Sequence, residues 1–401
     1  MKILVHDFCG HAFTLSLAVQ LAALGHDVDY VYVASEPGPK GDFDAARARA
    51  HPPRIHGLTT HGEYKKGAFI SRRRHDRHCG RVVAAIVADV MPDVVISTSP
   101  TEAQGFVVRA CQQNGVAFVY WMQDVYSIAA TKLLKKKLGL IGAMIGGYYR
   151  YLDRKHVCAS DRIVLITEDF RAQAVAWTGR NDNIDVIENW GALDEIPHRE
   201  HDNAWSRSMG INDQFNFIYS GTLGLKHNPE LLAALARQIG SRGNVIVISQ
   251  GASVPYLEAR KVELGLDNLT ILPLQPFHLL PDILGSADAF IATIEPDAGV
   301  FSVPSKVLSY LCAGRPIVLA VPLDNLAARI VDRAGAGLIV APDDAAGFLK
   351  AAMTIFANPN RAQMGSKGRA YAEATFDLAA VTQRFERCFA AIQLDRRSLR
   401  Q

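Results

Sequence analysis

The sequence predicts an α/β protein built from two doubly wound parallel sheets, one following the other along the chain. Three observations carry this. Short apolar runs alternate with segments of helical period from the first residues onward, the pattern of strands joined by covering helices. The pattern stops at a polar, irregular stretch near 192–205 and then restarts. At 401 residues the chain is long enough for two domains, each with its own core.

In the first series, KILVHDF is a strand and TLSLAVQLAALGH a helix ending at Gly25. DVDYVYVA is the next strand. GRVVAAIVADVMP is a helix, DVVISTS a strand, EAQGFVVRACQQNG a helix and VAFVYWMQD a strand. SDRIVLIT and NIDVIEN complete the series. The second series runs FNFIYSG (strand), PELLAALARQIG (helix), NVIVISQG and LTILPL (strands), HLLPDILGSA (helix) and DAFIATI (strand). A short helix, SKVLSYLCAG, then precedes the strand-like run RPIVLAV. The expected domains are 1–195 and 205–375. The last helix, within 376–401, is expected to pack back on the first domain.

Composition narrows the function. The chain is 49% hydrophobic and 21% charged, which fits a globular protein. A net charge of +3 gives no argument for nucleic acid as a partner. The six cysteines are scattered, without CxxC or His/Cys ligand spacing, as in reduced thiols without structural zinc. MKILVHDFCG begins directly as a strand and lacks the pattern of a secretory leader. No apolar run reaches the ~18–20 residues of a membrane span. Charge is nevertheless concentrated. Residues 54–81 hold eight Lys or Arg against Glu63 and Asp76, and 132–155 hold seven against Asp153.

Open α/β sheets bind ligands at the carboxyl ends of their strands, so two facing units are expected to bind between them. YSGTLGLKHNPELL places a Gly-rich turn (Ser220, Gly221, Thr222, Gly224) and Lys226 after a strand, with Asn228 as cap and Pro229 opening the helix. That is a phosphate cradle or a plain turn with a solvated lysine. SVPSKVLSYLCAG presents a puzzle. Ser305 is the expected N-cap, and Lys306 sits in the first turn, where a cation opposes the helix dipole. An anion shared by Lys306 and the N–H groups of Val307 and Leu308 would reverse that cost. In the first series, DFCGHAF turns through Gly10 and His11 without the full G-x-G-x-x-G spacing. Asp124 follows a strand of large apolar residues and reads either as a cleft carboxylate or as a helix cap.

VPSKVLSYLCAGRPIV, YSGTLGLKHNPELL and VIENW together resemble glycosyltransferase family 4. They are most similar to the bacterial branch that builds O-antigen and colanic-acid type polysaccharides. The resemblance implies a GT-B fold: two Rossmann-like domains facing across a cleft. The donor, a nucleoside-diphosphate sugar, would bind the C-terminal domain and the acceptor the N-terminal one, with retention at the anomeric carbon. It implies donor contacts at Ser220, Gly221, Thr222, Lys226, Gly251, Leu274, Glu295, Gly299, Ser305, Lys306 and Val307. Acceptor contacts fall to Gly10, His11 and Asp124, and catalytic roles to Asp124, Lys226 and Lys306. The base is expected near 249–253 and 272–277.

Two departures stand out. The family's phosphate-binding Arg falls at Thr222, so Lys306 stands in for it. The acidic pair falls at Phe301 and Ser309, unless an insertion gives Glu295 the first role. No cofactor and no metal are expected, since no Asp-x-Asp motif serves the diphosphate. Front-face attack would then pass the acceptor's proton to the leaving phosphate. Residues 131–155, with Leu134, Leu138, Ile141, Ile145, Tyr148 and Leu152 on one face behind a lysine run, predict a basic amphipathic helix on an anionic membrane. The implied partner is a polyprenyl-diphosphate-linked glycan at the inner face of the cytoplasmic membrane. A GT-B epimerase and a non-catalytic nucleotide-sugar-binding regulator are the alternatives.

Overall fold

The computed structural model describes residues 1–36, 40–59, 69–98, 100–224, 226–298 and 303–398. The chain divides into two units, Met1–Asn189 with Asp377–Gln401, and Trp190–Phe376.

In chain order the first unit holds β1 (Lys2–Asp7), α1 (Ala12–Ala23), β2 (Asp27–Val33), α2 (Phe43–Arg47), β3 (Arg54–Leu58), α3 (Phe69–Val90) and β4 (Val94–Thr98). It continues with α4 (Thr101–Gln113), β5 (Ala117–Met122), α5 (Tyr126–Cys158), β6 (Arg162–Leu165), α6 (Arg171–Thr178) and β7 (Ile184–Val186). The second unit holds α7 (Ala204–Ser208), β8 (Phe215–Ser220), α8 (Glu230–Ile239), β9 (Gly243–Ile248), α9 (Val254–Leu264), β10 (Leu269–Leu272), α10 (Leu280–Gly285) and β11 (Ala289–Thr293). Then come α11 (Lys306–Ala313), β12 (Ile317–Ala320), α12 (Leu326–Ala334), β13 (Gly337–Val340), α13 (Ala345–Ala357) and α14 (Arg361–Thr375). The last helix, α15 (Leu378–Ser398), belongs to the first unit.

The first sheet runs β3-β2-β1-β4-β5-β6-β7 and the second β10-β9-β8-β11-β12-β13, with parallel pairing throughout. Strands covered on both faces explain the unbroken apolar runs: β5 is buried along its whole length. In each sheet the order reverses once, between β1 and β4 and between β8 and β11. Those reversals are the switch points at which such sheets take ligands.

α15 is tied down by specific contacts. Arg396 reaches both carboxylate oxygens of Asp161 at 3.0 and 3.1 Å, and Phe385 packs edge-on to Trp121 with centroids 4.9 Å apart.

The expected single helix over 131–155 is instead a hairpin. Gly139 takes φ 57°, ψ −127° and breaks α5. Beyond the break the chain returns along itself. A Cβ on Gly142 would strike the backbone of Leu134, and one on Gly146 would strike Thr131. The two glycines let the two segments meet almost backbone to backbone. The tip leaves Leu138, Leu140, Ile141 and Met144 exposed, Leu140 at 87% and Met144 at 76%. The side chains of Lys132, Lys136 and Lys137 lie outside the described residues, as do Lys65 and Lys66 of the first basic stretch.

Candidate active site

The second unit's switch point is built around the loop that leaves β8. Gly221 has φ 125°, a backbone region open to glycine, and a Cβ there would lie 3.2 Å from Lys306 Cε. The lysine therefore lies over this glycine. Its ammonium donates to the Tyr219 hydroxyl at 2.5 Å and sits 4.0 Å from the centre of that ring. Tyr219 in turn donates to the Thr222 carbonyl at 2.8 Å. One helical turn on, Tyr310 accepts from the Ser220 N–H at 2.9 Å. Thus α11 holds the loop through two residues spaced i, i+4, which share one helix face.

Neighbouring loops brace the same turn. Gly251 has φ 138°, and a Cβ there would come 2.5 Å from the Leu223 carbonyl oxygen. The Leu223 N–H donates to the Gln250 carbonyl at 2.9 Å, and the Ser253 N–H to the Leu223 carbonyl at 3.1 Å. The Gly224 N–H donates to His227 Nδ1 at 3.0 Å. Burial, then Lys306 and Lys226, push His227 down to about 2, so the imidazole is neutral. The Glu295 N–H donates to the Lys226 carbonyl at 2.9 Å, which seats the half-buried Glu295 beside that lysine. Leu274 follows β10 and is half-buried. Gly299 and Phe301 lie outside the described residues.

Lys306 has no carboxylate partner among the described residues, its polar contact being Tyr219. Burial first, then the nearby Lys226, hold its ammonium well below the ordinary lysine range. A cation paired with a second cation at a helix start is a place that an anion would relieve.

Two sequence expectations need correction here. Ser305 is already helical at φ −58°, ψ −23° and makes no side-chain cap bond. The N–H groups of Val307 and Leu308 are occupied, donating to the carbonyls of Pro304 at 3.1 Å and Ser305 at 3.0 Å. The chain enters the helix early and closes its first turn on itself. The side chains, not these amides, are left to face a ligand.

The first unit's switch point centres on Asp7, the buried last residue of β1. Its carboxylate accepts from the His11 N–H (2.5 Å), His11 Nδ1 (3.1 Å), the Thr14 hydroxyl (2.6 Å), the Cys9 N–H (3.2 Å) and the Thr98 hydroxyl (3.2 Å). Burial works against the charge, but His11 and these donors outweigh it and hold the carboxyl far below its usual range. Gly10 has φ 77°, and a Cβ there would press within 2.9 Å of the Tyr32 ring. Asp124 is exposed beyond β5. The residue at the cap position of α5 is Val125. The Ser127 N–H in the first turn of α5 goes to Asp153 at 2.8 Å, and Asp153 also takes the Thr101 hydroxyl at 2.7 Å.

Sequence reasoning missed Asp7, Tyr219, His227 and Tyr310. Two signals were present: an acid four residues before His11, and a tyrosine four residues after Lys306.

Two doubly wound sheets, each with polar loops gathered at its switch point, define an α/β protein of the nucleotide-binding type in architecture. Comparisons narrow this. Residues 10–190 match the model of the glycosyl transferase 4-like domain, and 214–358 that of glycosyl transferases group 1. The chain belongs to the glycosyltransferases of GT-B fold. HepE of Anabaena, in complex with UDP and glucose, superposes with TM-score 0.72 at 15% identity, over 97% of this chain and 99% of that one. Sucrose-phosphate synthase from Thermosynechococcus elongatus gives 0.76 at 15% identity, over 98% and 99%. A point mutant of S. aureus TarM, in complex with UDP among other ligands, gives 0.66 at 8% identity, over 97% and 100%. No protein of curated function matches the chain in sequence.

Proposed function

We propose that this glycosyltransferase moves a sugar, with retention, from a nucleoside-diphosphate sugar to a polyprenyl-diphosphate-linked glycan in bacterial surface polysaccharide synthesis. The observation that carries the donor half is the meeting of Lys306 and Lys226 at the Gly221–Gly224 loop, with Lys306 held against its own charge. There the leaving diphosphate finds two cations at the point where its negative charge grows. Ser220, Gly221 and Thr222 form the floor, Gly251 braces it, and Leu274 and Glu295 border it toward base and sugar. Lys226 and Lys306 do the work otherwise given to a metal, so the reaction needs none. UDP is the favoured nucleotide, since the HepE and TarM structures hold it. The acceptor meets Gly10, His11 and Asp124 on the first unit.

No described helix is long and apolar enough to cross a membrane. The α5 hairpin supports a peripheral site of action at the inner membrane face. Its tip is apolar, and the exposed Lys135, Arg150, Arg154 and Lys155 lie on the same element. An exposed apolar tip flanked by cations is the chemistry of an anionic bilayer surface.

The test is acceptor-dependent release of nucleoside diphosphate. A donor panel with UDP, GDP, ADP and dTDP in thermal-shift assays is run first to choose the base. Release that needs the lipid-linked acceptor supports the reading. Donor turnover that ignores acceptors points instead to an epimerase, and nucleotide binding without turnover to a regulator.

A further inference from the structure

Lys306 has no carboxylate partner among the described residues, and Tyr219 supplies its support in two ways. The phenol oxygen accepts from the ammonium at 2.5 Å, and the centre of the ring lies 4.0 Å from the same nitrogen. The hydroxyl's own proton is committed elsewhere, donated to the Thr222 carbonyl at 2.8 Å. Toward the lysine the oxygen can therefore act only as an acceptor. The ring is itself fixed. Tyr219 is fully buried in the core cluster that holds Phe217, Leu223 and Leu232. His227 meets its ring edge-on, with centroids 6.3 Å apart.

We propose that Tyr219 is the positioning residue for Lys306: its phenol holds the ammonium over the Gly221–Gly224 loop without neutralising it, so that an arriving diphosphate forms an ion pair and breaks none. The proposal rests on the reading of Lys306 as a diphosphate-binding cation and deepens it. A carboxylate in this place would bind the lysine more strongly than a neutral hydroxyl does, and would compete with the phosphate for it. With no support at all, a desolvated ammonium would lack both an acceptor and a charge partner. A phenol lies between these limits. Its oxygen and its π-face both favour a cation, and neither carries a full charge that a ligand would have to displace. The same hydroxyl also ties down Thr222, so one group sets both the loop and the lysine.

The groups around the pair fit this role. Burial first, then Tyr310, keep Tyr219 protonated to higher pH than an ordinary tyrosine, so it is not a tyrosinate counter-ion. His227 is neutral, so no third cation joins the two lysines. Lys226 is the charge that acts on Lys306, and it opposes the ammonium. From α11, Tyr310 takes the Ser220 N–H at 2.9 Å while its ring stacks on Phe290 with centroids 4.1 Å apart. Tyr310 therefore holds the loop backbone, and Tyr219 holds the lysine.

The test uses the full-length protein and titration calorimetry with whichever of UDP, GDP, ADP and dTDP binds tightest. Tyr219→Phe keeps the ring and removes the hydroxyl. It should weaken nucleotide binding about tenfold or more, the scale of a lost hydrogen bond to a charged group. In the Lys306→Met background the same substitution should cost at least about threefold less, because residues in contact couple. A purely structural role would give equal losses in both backgrounds. Proton uptake on binding, taken relative to Lys306→Met so that the nucleotide's own protons cancel, adds a second readout. In Tyr219→Phe it should extend to lower pH than in the wild type, since the free ammonium has lost its acceptor. Should Tyr219→Phe fail to fold, fluorotyrosine incorporated at position 219 weakens the acceptor without removing it and should move the uptake the same way. Equal losses in the two backgrounds, or an uptake window that does not move, overturn the role of Tyr219. Full nucleotide affinity in Lys306→Met overturns instead the reading of Lys306 on which the proposal rests, which is a different outcome.

Discussion

Replacing Lys306 with methionine removes one charge from a place that resists it. In the free protein the ammonium rests on Tyr219, over Gly221, with Lys226 close by. Its pKa in the folded chain lies well below the ordinary lysine value of 10.5. The unfolded chain thus binds the proton more tightly than the folded one. Stability rises with pH between the depressed folded value and 10.5, and the charge is a cost below that window. A diphosphate reverses the balance by supplying the missing anion. Nucleotide binding should therefore draw in up to about one proton per site between the depressed folded value and 10.5. Titration calorimetry in buffers of different ionisation enthalpy measures this directly. Lys306→Met should abolish the uptake and weaken nucleotide binding about tenfold or more, the ~1.4 kcal/mol scale of a one-unit pKa shift. It should also cut kcat by at least ~10²-fold, with an unchanged circular dichroism spectrum and a melting temperature no lower than wild type. No proton uptake anywhere in that range, or full nucleotide affinity in the variant, would refute the reasoning.

Three further outcomes are expected. Transfer should persist in excess EDTA; loss of activity restored by Mg²⁺ or Mn²⁺ would demote the two lysines. Gly251→Ala, which drives a methyl into the Leu223 carbonyl from a backbone at φ 138°, should weaken nucleotide binding and lower stability by about 1–3 kcal/mol, checked by calorimetry and denaturant melts. The protein should co-sediment with anionic vesicles at low salt and be released at high salt. Leu140→Ser with Ile141→Ser and Met144→Ser should abolish that without altering nucleotide affinity, and a wild type that stays in the supernatant would remove the membrane reading.

Lys306 was legible because a cation in the first turn of a helix contradicts a local rule, and such contradictions gather at functional sites. Its neighbours were not. Tyr219 and Tyr310 look like ordinary core aromatics, since both are fully buried; only the long-range pairing of α11 with the end of β8 gives their hydroxyls a role. Asp7 was passed over although Cys9, His11 and Thr14 bind it from the turn and helix that follow; only Thr98 and Tyr30 reach it from separate segments. Most strands up to β12 were plain, because buried parallel strands are continuous apolar runs, whereas the helices α6 and α9 between successive strands were not read from the sequence. β3, half exposed and carrying Arg54 and His56, lacks that signature and was passed over. The break in α5 was invisible because the i, i+3, i+4 spacing of apolar residues continues straight across Gly139. A single internal glycine costs only about 1 kcal/mol in a helix, too little to argue for a turn.

That turn has a geometric consequence. The two arms of α5 are in contact at Thr131 and Gly146, so the length beyond that contact is fixed by covalent geometry. From Gly146 to Gly139 the rise is roughly 10 Å, and the exposed Leu138, Leu140, Ile141 and Met144 all lie at or within that reach. On the bilayer of the membrane reading proposed above, this would act as a depth stop: the tip would reach the boundary between headgroups and acyl chains and no farther, with the arms below it carrying charges at the headgroup level. Residence there would then answer to the lipid charge the hairpin meets.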